Sequence, residues 1–233
     1  MQHEVINNQK NTLISEDMFS IPFFSKIPLS IERGKGIYVW DEDGNRYIDF
    51  TSGWGVTCLG HSHPVIINAI TEQAQRIIQN PNSGLTYSPA RARLLSIMQK
   101  ILPHGLTKVF FTNSGAESND AILKLARKVS GKRTIITAYN SFHGRTLSTL
   151  YATGQPTINQ IFQPSVQGYE YCEYGNIEKL KEMVHDDVAA IMLEPVQGEG
   201  GVIVPPDGYL RSVSKLCKAK GVFLIMDEIQ TGF

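Results

Sequence analysis

The feature that most constrains this chain is an alternation that begins near residue 108. Short apolar runs, KVFFT, RTIITA, VAAIMLEP and VFLIMDE, are separated by stretches of helical character at 115–130, 176–185 and 207–219. A strand with one wet face alternates apolar and polar residues, whereas these runs are continuously apolar. That suits strands buried on both faces of a sheet with helices packed on either side. The pattern predicts an α/β chain with a mostly parallel sheet covered by helices and right-handed crossovers. In such sheets ligands collect at the carboxyl ends of the strands, so the residues just after each run are the first candidates for chemistry.

Upstream the pattern differs. Residues 1 to about 30 read as an extended arm, because Pro22 and Pro28 disfavour helix. GIYVW and RYIDF flank DEDGN, whose Asp-Gly pair is a hairpin signal, so a small β element is expected at 36–50. The Gly-rich TSGWGVTCLGHSHP ends at Pro64, a favourable first-turn residue for a helix. Helices are expected over PVIINAITEQAQRIIQ and SPARARLLSIMQKIL. In the second, Leu94, Leu95, Met98, Ile101 and Leu102 share one face.

Charge and cysteine usage narrow the function classes. Lys plus Arg and Asp plus Glu are 22 each in 233 residues, so no bulk electrostatic attraction to nucleic acid or an anionic membrane is expected. Cys58, Cys172 and Cys217 are odd in number, far apart and without a CxxC pair; they read as reduced thiols. The opening residues lack the basic and apolar regions of a secretory signal, and no apolar stretch approaches the ~18 residues of a membrane helix. A soluble, cytoplasmic protein is the expectation.

The strand exits carry the chemistry. After KVFFT comes NSGAESND, where Ser114 and Glu117 form a capping box that opens a helix. Beyond capping, Gly115 and Ala116 have almost no side chain, so their N–H groups at a helix N-terminus can meet a phosphate, with the Ser114 hydroxyl beside them. After RTIITA comes YNSFHGRT. Phe142 offers a ring face, His143 a second planar group, Gly144 close backbone approach, and Arg145 a fork matched to carboxylate or phosphate. The competing reading makes Phe142 a core plug and Arg145 a solvated charge. After VAAIML comes EPVQGEGG, where Glu194 and Glu199 either pair with an arginine or cap a backbone turn. VFLIM delivers Asp227 and Glu228.

Two rival sites fail on spacing. A strand ending in Asp-Glu resembles a Walker B strand, but neither Gly34-Lys35 nor Gly131-Lys132 has the flanking residues of a P-loop. Cys58, His61 and His63 lie close in sequence, yet no fourth ligand has zinc spacing, so no metal is expected.

Taken in order, NSGAES, SFHGRT, EPVQGEGG and MDEIQTGF resemble the class III aminotransferases of ornithine and acetylornithine type, pyridoxal-phosphate enzymes of fold type I. GKGIYVWDEDGNRYIDF resembles that family's opening hairpin and LGHSHP its next turn. SFHGRT followed by ATGQP is most similar to the acetylornithine enzymes. The resemblance runs from about residue 30 to the end. It implies an N-terminal arm and hairpin over 1–55, belonging to the small domain, and a pyridoxal-phosphate-binding large domain over 56–233.

The resemblance also implies roles. Asp227 would hold the pyridine nitrogen protonated, since a buried carboxylate favours the pyridinium and so the ring's use as an electron sink. Gln230 would contact the ring's phenolic oxygen. Ser114, Gly115 and Ala116 would cradle the phosphate, Phe142 would stack on the ring and His143 would lie close by. Arg145 would bind the substrate α-carboxylate, Glu199 would be the gate glutamate, and Trp54 would line the entrance. Glu194 and Glu228 would anchor backbone and neighbouring side chains.

In the family a lysine that forms the internal Schiff base follows DEIQTGF. No lysine here takes its place: Lys215, Lys218 and Lys220 precede the last strand, and Lys124, Lys128 and Lys132 belong to the helix after the phosphate loop or to its end. The expectation is an N-terminal portion, inactive alone, of a homodimeric transaminase. That enzyme would take an ω-amino donor of N-acetylornithine type and 2-oxoglutarate. Ornithine, 4-aminobutyrate or diamine donors, or a non-catalytic remnant, are the alternatives.

Overall fold

The computed structural model describes residues 8–81 and 84–232. By its internal packing the chain divides into two compact units, Met1–Leu102 and Pro103–Phe233. The boundary near residue 55 read from the sequence falls inside the first unit.

The first unit opens with α1 (Asn8–Phe19), where the sequence predicts an extended arm; residues 1–7 of that arm lie outside the described residues. Pro22 and Pro28 act only on their own neighbourhood, and NQKNTLISEDMF contains neither Pro nor Gly, so the helix forms and stops before Pro22. The predicted hairpin is present as β2 (Tyr38–Asp41) and β3 (Arg46–Ile48), antiparallel, with β1 (Ile31–Lys35) added on the far side of β2. The strand β1 escapes the sequence reading because IERGK is polar and mostly exposed. Asp41, 1% exposed, organises the turn: its carboxylate accepts from Asn45 N at 2.8 Å, Asn45 Nδ2 at 3.0 Å and Tyr47 OH at 2.9 Å.

The Gly-rich patch is held the same way. Asp49 accepts from Thr51 Oγ1 at 2.7 Å and Thr51 N at 2.8 Å, and lies 2.8 Å from His61 Nε2. The Thr51 hydroxyl first, then His61 and backbone N–H groups, pull the Asp49 carboxyl down to about 2. The helices α2 (Pro64–Arg76) and α3 (Pro89–Ile101) follow as the sequence predicts, α3 capped by the Ser88 side chain on Arg91 N. The apolar face of α3 exists as a pattern but buries nothing among the described residues; Leu94 and Ile101 are exposed.

The second unit carries the sheet. In order it contains α4 (Gly115–Ser130), β4 (Thr134–Ala138), α5 (Leu147–Ala152), α6 (Pro156–Asn159) and β5 (Tyr169–Cys172). Next come α7 (Ile177–Met183), β6 (Val188–Leu193), α8 (Tyr209–Lys220) and β7 (Phe223–Met226). The four strands pair in the order β5-β4-β6-β7, every pair parallel. All residues of β4 and β6 are buried, as continuous apolar runs require when both faces are covered. One face packs Ile136, Ile191 and Leu193 against Leu180 of α7 and Val213, Leu216 and Cys217 of α8. The other packs Ile135, Ala190, Met192 and Ile225 against Leu123 and Ala126 of α4.

KVFFT departs from expectation. It is not a strand, and Phe110 and Phe111 are exposed, because no described segment offers it a ladder of hydrogen bonds. The edge strand β5 and the short α5 and α6 were not legible: YEYC has no apolar run, and six- and four-residue helices carry too few periods to read.

The chain enters β4, crosses to β5 on one side, then returns past β4 to β6 and β7. The crossover direction therefore reverses about β4, and the crevice beyond the carboxyl ends of β4 and β6 is the topological switch point where such sheets bind ligands.

Ile191 is fully buried in the middle of β6. Its replacement by Ala removes apolar contact and leaves a cavity, so the urea midpoint of I191A should fall by the equivalent of about 2–5 kcal/mol.

Candidate active site

The exits of β4, β6 and β7 meet the N-terminus of α4 at this crevice. Ser114 has extended backbone and caps α4, its Oγ accepting from Glu117 N at 3.2 Å, while Glu117 Oε2 accepts from Ser114 N at 3.1 Å and Asn113 N at 2.6 Å. The box settles the end of the helix and leaves the N–H groups of Gly115 and Ala116 in the first turn without intrahelical acceptors. Backbone donors and the positive end of the helix dipole then face one point, an arrangement suited to an anion.

Two glycines let the exits close on this turn. Gly144 has φ +134°, and a Cβ there would lie 2.6 Å from Thr149 Oγ1 and 2.8 Å from Ala116 Cβ. At Gly198 a Cβ would overlap the Gln230 side-chain oxygen, so Gln230 rests against the EPVQGEGG turn only because position 198 has no side chain. Ile229 lies over Gly115 in the same manner.

Asp227 is the centre of the site. It is 7% exposed, at the end of β7, and its N–H donates to Leu193 O at 2.8 Å, which ties it to the end of β6. Its Oδ2 lies 2.7 Å from Nδ1 of His143, itself 2% exposed, and accepts from Asn119 Nδ2 at 2.8 Å. A carboxylate oxygen can only accept, so His143 Nδ1 carries the proton. His143 Nε2 is buried with no hydrogen-bond partner among the described residues. Asp227 Oδ1 receives one donor, the Ile229 N–H at 3.1 Å.

Phe142 is positioned by its backbone: its N–H donates to Glu194 Oε1 at 3.0 Å, and the Arg145 guanidinium sits 5.3 Å from its ring centroid. Glu194 is 7% exposed, and burial is the main reason its carboxyl is held above the usual glutamate range, opposed by the Phe142 N–H. Glu199 is exposed on the turn closed by Gly201 N to Gly198 O at 3.1 Å. Trp54 belongs to the first unit, where it is exposed with φ +57°.

The structure thus brings together Ser114, Gly115, Ala116, Phe142, His143, Arg145, Asp227 and Gln230 in one unit, with Glu199 on an adjoining turn. His143 is buried in hydrogen bonding to Asp227. Asn119 is the residue that the sequence reading missed. An asparagine inside a helix is disfavoured unless its amide has work to do, and that was the available signal.

The sequence profile described as "Aminotransferase class-III" matches residues 24–233. The chain belongs to the class III aminotransferases. It is 47% identical over 218 residues to the acetylornithine aminotransferase of Methanothermobacter thermautotrophicus, covering 94% of this chain and 55% of the relative. The acetylornithine aminotransferase of Methanopyrus kandleri is 41% identical over 216 residues, covering 93% and 55%. Among solved structures, the ornithine aminotransferase from Toxoplasma gondii matches with TM-score 0.89 and 33% identity over 96% of this chain and 54% of that one. The chain spans about half the length of the relatives it matches. Its α/β fold, with a parallel sheet, is that of the pyridoxal-phosphate enzymes of fold type I.

The family's cofactor is pyridoxal 5′-phosphate, and the residues here fit it. The first turn of α4 offers N–H donors suited to a phosphate, and Asp227 Oδ1 has room for a second donor.

The Glu194 carboxyl binds its proton more tightly folded than unfolded. The stability this gives is full below the ordinary glutamate range and is lost as pH rises through the raised value. E194Q can still accept from Phe142 N and has no charge to bury. Its urea midpoint should gain on the parent's as pH goes from about 4 to about 8. Parallel pH profiles for the two proteins would count against this reading.

Proposed function

We propose that this chain supplies the cofactor-holding part of a transaminase that moves an amino group from an ω-amino donor of N-acetylornithine type to 2-oxoglutarate. The observation that carries the reading is the buried Asp227 carboxylate at the switch point, with Oδ2 held by two donors and Oδ1, which accepts from Ile229 N–H, open to a second. The choice of donor draws on 47% identity to an acetylornithine aminotransferase. Likeness to the Toxoplasma gondii ornithine aminotransferase favours ornithine as the second reading.

Bound pyridoxal phosphate would supply an electron sink for the negative charge that develops at the carbon bearing the transferred amino group. The chain's own residues hold and tune it. Ser114, Gly115 and Ala116 bind the phosphate at the helix terminus, where no lysine is needed to neutralise it. Phe142 covers one ring face, and Glu194 keeps Phe142 in place through its backbone. Asp227 favours the protonated ring nitrogen, and His143 fixes the carboxylate. Gln230 donates to the phenolic oxygen, and Arg145 binds the substrate carboxylate as a planar fork. Glu199 gates the pocket.

We assign residues 1–55 to the small domain and 56–233 to the cofactor-binding domain of a homodimer. Among the described residues, the hydrogen-bond partners of Asp227 are Asn119, His143 and Ile229 and the Leu193 carbonyl.

Two measurements test this. The purified 233-residue chain, which spans about half the length of its relatives, should show no transamination of N-acetylornithine with 2-oxoglutarate, and measurable turnover would overturn the reading that it supplies only the cofactor-holding part. The gene product, in the length its own cell makes, should form glutamate from N-acetylornithine faster than from ornithine; the reverse order would select the second reading.

A further inference from the structure

Asn119 sits one turn inside α4, 4% exposed, and its amide nitrogen spans two exits: it donates to His143 O at 2.8 Å and to Asp227 Oδ2 at 2.8 Å. His143 Nδ1 meets the same oxygen at 2.7 Å. Two donors therefore converge on Oδ2, whereas among the described residues Oδ1 has a single donor, a backbone N–H. We propose that Asn119 is a positioning residue that turns Oδ1 of Asp227 toward the cofactor's ring nitrogen by holding Oδ2, an inference that rests on the cofactor reading above.

The chemistry explains why the residue is an amide. A leucine of similar size would leave the buried His143 carbonyl and Asp227 Oδ2 one donor short. An aspartate would set two carboxylates within hydrogen-bond distance, which they share only with a proton between them. The titratable groups facing position 119 are His143 from the β4 exit and Asp227 from the β7 exit, with Glu194 coupled electrostatically to both. Held by Asn119, the carboxylate has one orientation, and the negative charge stays where the pyridinium would meet it. Without Asn119 the carboxylate rotates about His143, and Oδ1 no longer has a fixed aim.

The test uses the whole chain and pyridoxamine 5′-phosphate, which binds without a covalent link to lysine. Affinity is read by fluorescence titration, and ring protonation by the ¹⁵N shift of ring-labelled ligand. The parent should bind with a protonated ring nitrogen at both about pH 5.5 and about pH 8. N119L should bind roughly tenfold more weakly and shift the ring nitrogen toward its unprotonated value. N119D should match the parent near pH 5.5, where the two carboxyls share a proton, and lose roughly tenfold or more of its affinity relative to the parent by pH 8. Should N119L not keep the parent's circular dichroism, the loss of affinity of N119D between the lower and the higher pH carries the test. Variants that fold and match the parent in affinity and ¹⁵N shift at both pH values would overturn the role of Asn119 alone. A parent chain that takes up no pyridoxamine phosphate would overturn the cofactor reading and this inference with it.

Discussion

The second unit depends on one buried carboxylate. Asp227 is charged chemistry placed at the end of an apolar strand, and an isolated carboxylate there would be costly to desolvate. The fold meets that cost with three contacts to the carboxylate, Ile229 N–H on one oxygen and Asn119 and His143 on the other, while the residue's own N–H is tied to Leu193 O. These contacts join β6, β7, the β4 exit and α4 at a single point. The same atoms that satisfy the carboxylate therefore set the distance between the helix terminus and the strand exits.

The rest of the site follows from that fixed point. Because His143 is drawn back to Asp227, the backbone before it turns so that Phe142 N reaches Glu194, and Gly144 is pressed against Ala116. Because Ile229 N is bonded to Asp227, its side chain falls over Gly115 and Gln230 falls against Gly198. Small residues stand where exits converge, and polar side chains stand where buried backbone needs partners. Each motif at a strand exit is thus partly about the ligand and partly about letting its neighbours approach.

Much of this was legible in the sequence because it is local. A continuous apolar run announces a doubly covered strand, and Ser114 with Glu117 announces a helix start; both are present. The hairpin at DEDGN is likewise a short-range signal, and Asp41 completes it from within the turn. What was not legible depends on partners far away in the chain. Asn119 meets Asp227 across 108 positions, so nothing around it in sequence names its task. KVFFT has the composition of a strand but lacks a ladder among the described residues, and the apolar face of α3 has a period but nothing buried. The helix α1 formed against expectation because a proline's effect is confined to its own turn and the one before it.

The central claim is that Asp227 presents Oδ1 to the ring nitrogen of the family's cofactor while Asn119 and His143 keep Oδ2. The most direct measurement is a crystal structure of the chain with pyridoxamine 5′-phosphate bound. The account predicts the phosphate on the N–H groups of Gly115 and Ala116 and the ring nitrogen within hydrogen-bond distance of Asp227 Oδ1. It also predicts that both contacts to Oδ2 remain. A ligand seated elsewhere, or a ring nitrogen directed away from Asp227, would contradict it.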